Sequence, residues 1–146
     1  MRLLLATCYL FAISSALAQE APFTTCDNCW NPDTLGNHRA VLRVPTPGKA
    51  AHVRIPWRRR DLHPESKNIL ITDAAGNRVR NVHRIQINRE EGELRFEPTL
   101  GAGVYYLYYL PQRSKGRSNY PTITYPPFQE TAAPAWRNAP ADAEAV

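Results

Sequence analysis

From His38 onward, apolar and polar residues alternate, and turn residues interrupt the pattern every few positions. Successive side chains of an extended chain point to opposite faces, so a period of two marks strands with one dry and one wet face. "HRAVLRV" sets Ala40, Leu42 and Val44 against Arg39 and Arg43, and "AHVRIPW" sets Val53, Ile55 and Trp57 against His52, Arg54 and Pro56. "KNILITD" is a compact apolar run ahead of the turn "DAAGN", and "RVRNVHRIQIN" puts Ile85 and Ile87 opposite Arg84 and Gln86. Gly92 in "NREEGE" is placed for a hairpin turn with positive φ. "ELRF" then sends Leu94 and Phe96 inward, and "GVYYLYYL" closes the series as an aromatic-rich strand. No stretch sustains a helical period. The expectation is an all-β fold, an antiparallel β-sandwich in preference to a barrel, with about six to eight strands over residues 38–125. Its expected core is Leu42, Val44, Val53, Ile55, Ile69, Ile71, Ile85, Ile87, Leu94, Phe96, Leu107 and some of the tyrosines.

The flanks have different characters. Arg2, the apolar run to Ala16 and the small-residue site Ala16-Leu17-Ala18 form the pattern of a secretory signal peptide over residues 1–18. The run is too short to span a bilayer, so export without a membrane anchor is expected. Residues 19–37 are expected as a loop segment carrying Cys26 and Cys29. In an oxidising compartment the pair suits a small local disulfide, and half a metal site or a redox dithiol are the alternatives. Beyond Leu110 the chain is rich in Pro, Ala and small polar residues. Residues 126–146 are expected as an extended Pro-rich arm or linker. Tyr120, Tyr125, Phe128 and Trp136 are too apolar for a free tail, so part of this region should lie against something.

Charge narrows the partners. The 146-residue chain carries a formal net charge of +5, and fifteen of its eighteen basic residues are arginine. Arginine favours planar, two-pronged contacts with carboxylate, sulfate or phosphate. An exported chain with strand-spaced aromatics and no recognition motif argues against nucleic acid.

No catalytic constellation stands out. Glu90, Glu91, Glu93 and Glu97 cluster, but in a turn and on the outer face of one strand, where charged residues are ordinarily solvated. His38, His52, His63 and His83 are dispersed, without the spacing of a metal site. Ser66, Ser114 and Ser118 have no nucleophile context. Neither a cofactor nor a metal is expected.

"IPWRRRDLHPE" is the segment that most invites a binding role. Strand phase puts Trp57 with Val53 and Ile55, so it can be a core residue with Arg58, Arg59 and Arg60 opening an exit loop. The arginines can equally form a docking surface for a neighbouring domain. In a third reading Trp57 stacks on a sugar while the arginines hold hydroxyls or an acidic group. The tyrosine strand raises the same question. Tyr105 and Tyr109 share one face and Tyr106 and Tyr108 the other, so one pair is core. The second pair, assigned here to Tyr106 and Tyr108, is open to glycan or covered by the C-terminal arm.

"NPDTLGNHRAVLRV", "VRIPWRRRD", "INREEGELRFEP", "GVYYLYYLP" and "SNYPTITYPPFQETAAPAW" together resemble the N-terminal region of large exported bacterial proteins related to glycoside hydrolase family 123. The resemblance covers residues 29–136. It implies a β-sandwich that precedes a catalytic (β/α)8 barrel, whose acidic residues remove N-acetylhexosamine-type sugars with substrate assistance. The sequence stops where that barrel would begin, so no catalytic residue carries over to it. The expectation is a non-catalytic accessory domain, a fragment without its barrel, that packs on a neighbouring (β/α)8 domain and contacts glycan. A free-standing carbohydrate-binding module is the alternative, and a thiol or metal protein built on Cys26 and Cys29 is a third.

Overall fold

The computed structural model describes residues 22–25, 29–117, 119–138 and 140–146. It is the expected all-β sandwich. One sheet contains β1 (Phe23–Thr24), β2 (Arg39–Val44), β7 (Gly103–Tyr108) and β4 (Leu70–Asp73), in that spatial order and antiparallel throughout. The other runs β10 (Ala143–Glu144), β3 (Ala51–Pro56), β6 (Glu91–Phe96) and β5 (Val82–Ile87). Its pairs are antiparallel except β10 with β3, which is parallel. A separate two-stranded ribbon joins β8 (Arg113–Arg117) to β9 (Tyr120–Thr124). Two four-residue helices, α1 (Pro32–Leu35) and α2 (Pro134–Arg137), lie in the flanks.

The alternation explains the layers. Leu42 pairs with Tyr105 and Ala40 with Leu107 in one sheet, while Val53 pairs with Leu94 and Ala51 with Phe96 in the other. All eight point into one shared core. Phe96 and Tyr105 bridge the two sheets edge to face, with ring centroids 5.2 Å apart. The buried Tyr105 hydroxyl donates to the Gly101 carbonyl at 3.0 Å and accepts from the Leu100 N–H at 2.9 Å, which settles its polar end without water.

Three expectations need correction. Ile85 is exposed and Ile87 only partly buried, because β5 is bulged: Arg84 pairs with Leu94 and Gln86 with Glu93, leaving Ile85 as the extra residue. One inserted residue resets the phase of an edge strand, and the alternation read from sequence fails at that point. Gly92 lies inside β6 and is not among the glycines with positive φ. The hairpin before it is closed by Asn88, whose Oδ1 accepts from the N–H groups of Glu90 and Glu91. What requires glycine at 92 is the ring of Trp57, since a Cβ there would lie 2.2 Å from Cη2.

The third correction concerns the arm. It is extended and Pro-rich, and part of it lies against the domain as expected, but its last residues are strand and core instead of linker. Phe128 N–H donates to the Ser66 carbonyl, the Arg84 guanidinium stacks on the Phe128 ring 3.1 Å from its centroid, and Trp136 Nε1 donates to the Lys49 carbonyl. The chain then adds β10 to the edge of β3. Val146 exchanges both backbone hydrogen bonds with Arg43 of the opposite sheet. Buried Ala143 and Ala145 close that side of the core. Small side chains fit the narrow space between the two sheet edges, and the added strand satisfies an edge that would otherwise be open.

Candidate functional site

Strand geometry does not stop at Pro56. Trp57 N–H donates to the Glu90 carbonyl at 2.9 Å and Arg59 N–H to the Arg89 carbonyl at 2.8 Å, so the ladder continues beyond β3. The alternation continues with it: Trp57 and Arg59 are buried, while Arg58 and Arg60 are exposed. The three arginines are therefore not equivalent. Two face solvent and one is built into the domain.

Trp57 is 3% exposed, lies flat against Gly92, and donates from Nε1 to the Asn88 carbonyl at 2.9 Å. Tyr109, just past the end of β7, packs on it with centroids 5.6 Å apart. The Arg59 guanidinium carbon lies 5.2 Å from the Trp57 ring centre and 5.8 Å from that of Tyr109. Only 2% of the Arg59 side chain is exposed. Cations over ring faces gain most when desolvated in this way. Trp57 thus belongs to the core, and its ring is closed to a sugar.

Arg59 grips Asp61 through both prongs of its fork, Nε to Oδ1 at 2.8 Å and Nη2 to Oδ2 at 2.7 Å. Lys67 Nζ reaches the same carboxylate at 3.0 Å. Burial by itself would raise the Asp61 pKa, but the hydrogen bonds and charges of Arg59 and Lys67 outweigh it and hold the value at about 2. Nη1 of Arg59 is buried with no hydrogen-bond partner among the described residues. Burial pushes the Tyr109 hydroxyl pKa up, with Arg59 opposing.

Around this cluster lies a cleft of about 620 Å³. Its walls come from separate parts of the chain: Phe23 of β1, the Pro56–Asp61 segment, Lys67, Tyr109 and Tyr125. Phe23 meets Tyr109 edge to face at 6.0 Å, and Lys67 sits 4.3 Å above the Tyr125 ring. Sequence reasoning singled out Trp57 and the arginines, with Asp61 able to pair with one of them or cap the turn, but missed Lys67, Tyr109 and Tyr125 as their neighbours. The available signal was strand phase carried two residues past Trp57, with a carboxylate two residues after Arg59.

Tyr106 and Tyr108 lie on the opposite face and are not brought to this cleft. Tyr108 is buried, with Trp30 edge-on at 5.8 Å. The Arg39 guanidinium lies 3.6 Å over Tyr106 and 4.4 Å over Trp30, and donates to the Tyr108 hydroxyl at 3.4 Å. Among the described residues the cover is thus supplied by Trp30, ahead of β2, and by Arg39 of β2, and not by the C-terminal arm. Trp30 is anchored there because its Nε1 donates to the Gly36 carbonyl at 2.7 Å.

The acidic cluster is engaged along the outer face of the second sheet. Arg54 Nε donates to Glu91 at 2.6 Å and Asn81 Nδ2 to Glu97 at 2.7 Å. His52 lies between Glu93, 2.9 Å from Nε2, and Glu144, 3.1 Å from Nδ1. Both ring nitrogens face carboxylates. Burial lowers the His52 pKa, but the two hydrogen bonds prevail and raise it above 6.5. Among the described residues no group of three or more His, Cys, Asp or Glu side chains is arranged to hold a metal ion. Cys29 is disulfide-bonded, so its sulfur is not a thiolate ligand; Cys26 lies outside the described residues, as does the expected signal peptide. No helix among the described residues is long and apolar enough to cross a membrane.

Comparison with known proteins agrees with the resemblance. No curated protein and no solved structure matches the chain. The model of the family "Glycoside hydrolase 123, N-terminal domain" matches residues 28–146, most of the chain and both sheets of the sandwich. With that match over these strands, the chain belongs to the glycoside hydrolase 123 N-terminal domain family.

Proposed function

We propose that this chain is a non-catalytic accessory domain of an exported glycoside-hydrolase-like protein, working by packing on a neighbouring catalytic (β/α)8 domain. The signal-peptide pattern of residues 1–18 supports export. The observation that carries the docking role is the β8–β9 ribbon. It stands outside both sheets, and its residues are exposed apart from a half-buried Ser114, with Tyr120 85% exposed. It carries Arg113, Lys115 and Arg117, with no acid between residues 113 and 124. An isolated two-stranded ribbon is marginal by itself, and an open basic ribbon edged with Tyr120 and Ile123 suits an acidic partner face.

The test is calorimetric titration of this chain with the separately produced catalytic region of a glycoside hydrolase family 123 protein. Salt-sensitive association is expected, and it should be lost in Arg113→Glu/Lys115→Glu/Arg117→Glu. Association that ignores this charge reversal would remove the ribbon from the account. Turnover of a chromogenic N-acetylhexosaminide by the chain alone would overturn the non-catalytic reading.

A second reading, carbohydrate contact by the domain itself or as a free-standing module, is favoured by the cleft beside Arg59. Its volume and mixed aromatic and polar lining are those of small-ligand sites.

A further inference from the structure

The cleft is unevenly charged for its size. Arg58, Arg59, Arg60 and Lys67 line it, and Asp61 is the one carboxylate among the described residues that line it. Asp61 is already committed, holding Arg59 by both oxygens and Lys67 by one. Arg58 and Arg60 are exposed at the rim and make no ion pair among the described residues. Among the described residues the cleft thus offers two cationic donors, Arg58 and Arg60, with no carboxylate of their own. The remaining lining is largely aromatic: Phe23 and Tyr125 are each about two-fifths exposed, Tyr109 lies between Phe23 and Trp57, and His38, Pro56 and Leu110 complete the wall. Aromatic faces beside arginine forks take a ligand that is both ring-shaped and anionic. Asp61 itself illustrates the recognition, being a carboxylate received by a planar fork and an ammonium together.

We propose that this cleft binds an acidic sugar, a pyranose ring carrying an oxyanion, with the oxyanion at Arg58, Arg60 and Lys67 and the ring against Tyr109 and Tyr125. The assignment rests on the carbohydrate-contact reading and sharpens it by ligand class. The buried Arg59–Asp61 pair is the platform of the site: it fixes the backbone that presents Arg58 and Arg60 on either side. A uronic acid and a sulfated sugar offer the same oxyanion chemistry, and the test separates them.

The experiment is titration of the chain, followed by amide chemical shifts, with trigalacturonate, galactose 6-sulfate and neutral galactotriose. Saturable shifts at Arg58–Asp61, Lys67, Tyr109 and Tyr125 are expected with trigalacturonate, with galactose 6-sulfate, or with both, and none with galactotriose. Binding should weaken as salt is raised. The double variant Arg58→Gln/Arg60→Gln alters exposed side chains and so keeps the fold. It should lower the affinity by about tenfold, the sum of two exposed charge contacts. Equal binding of neutral and acidic sugars would overturn this inference and leave carbohydrate contact standing. No binding of any sugar would overturn both. Acidic-sugar binding unchanged in the double variant, or in Tyr125→Ala, would place the site elsewhere and overturn the assignment.

Discussion

Replacing Gly92 by alanine puts a methyl carbon 2.2, 2.5 and 2.7 Å from Cη2, Cζ2 and Cζ3 of Trp57. Ordinary carbon contacts lie near 3.5–4.0 Å, so the ring would have to move by more than about 1 Å. It has little room to do so. Its Nε1 is bonded to the Asn88 carbonyl, and its neighbours are the Tyr109 ring and the Arg59 guanidinium. Overpacking of this kind costs about 1–3 kcal/mol, and so tight an overlap belongs at the upper end. Against this, alanine in a strand interior gains roughly 0.5–1 kcal/mol over glycine. The net expectation is destabilisation by about 2 kcal/mol, or about 8 °C in Tm for a domain of this size. Thermal and urea unfolding of wild type, Gly92→Ala, Trp57→Phe and the double variant form the assay. Phenylalanine lacks the outer ring that meets the new methyl, so in the Trp57→Phe background the same change should cost nothing or stabilise. The coupling between the two positions should reach about 2 kcal/mol. An identical cost of Gly92→Ala in both backgrounds would refute the argument that the indole is what excludes a side chain at 92.

Two further outcomes follow from the ion pairs. Asp61 has its pKa depressed to about 2, so its contribution to stability is present above the ordinary aspartate value near 3.8 and is lost as pH falls towards 2. Asp61→Asn should flatten that acid limb in a pH series of Tm values, and should cost about 3 kcal/mol at neutral pH by leaving Arg59 buried without its carboxylate. His52 has the opposite sign. Its pKa is raised, so the stability from its bonds to Glu93 and Glu144 is complete below 6.5 and is lost as pH rises through the folded-state value. Because Glu144 sits on β10, the Tm of wild type should fall as pH is raised through the neutral range, while that of His52→Gln stays level.

The strands were legible because they bury one face. Leu42, Val44, Val53, Ile55, Leu94, Phe96 and Leu107 all face the core as their spacing implies, since a shift of one residue would turn each of them to solvent. The same rule applied to Arg59, whose phase points inward. A run of three arginines reads as solvated because a lone buried charge is prohibitively costly, and the remedy lay in tertiary partners. Asp61 and Trp57 are close in sequence, but Tyr109 reaches the guanidinium, and Lys67 its carboxylate partner, only once distant segments have packed together.

Fold class, strand phase, most of the core and family membership were therefore carried by the sequence itself, because periodic burial is a local property written residue by residue. The bulge at Ile85, the reason for Gly92, the cover over Tyr108 and the seating of Ala143–Val146 across the sheet edges were decided only by tertiary structure. Each depends on what another segment brings to the same place: Leu94 and Glu93 against β5, Trp57 against β6, Trp30 against β7, and Arg43 against the last residue. Local pattern sets which way a side chain points, and only packing sets what it meets.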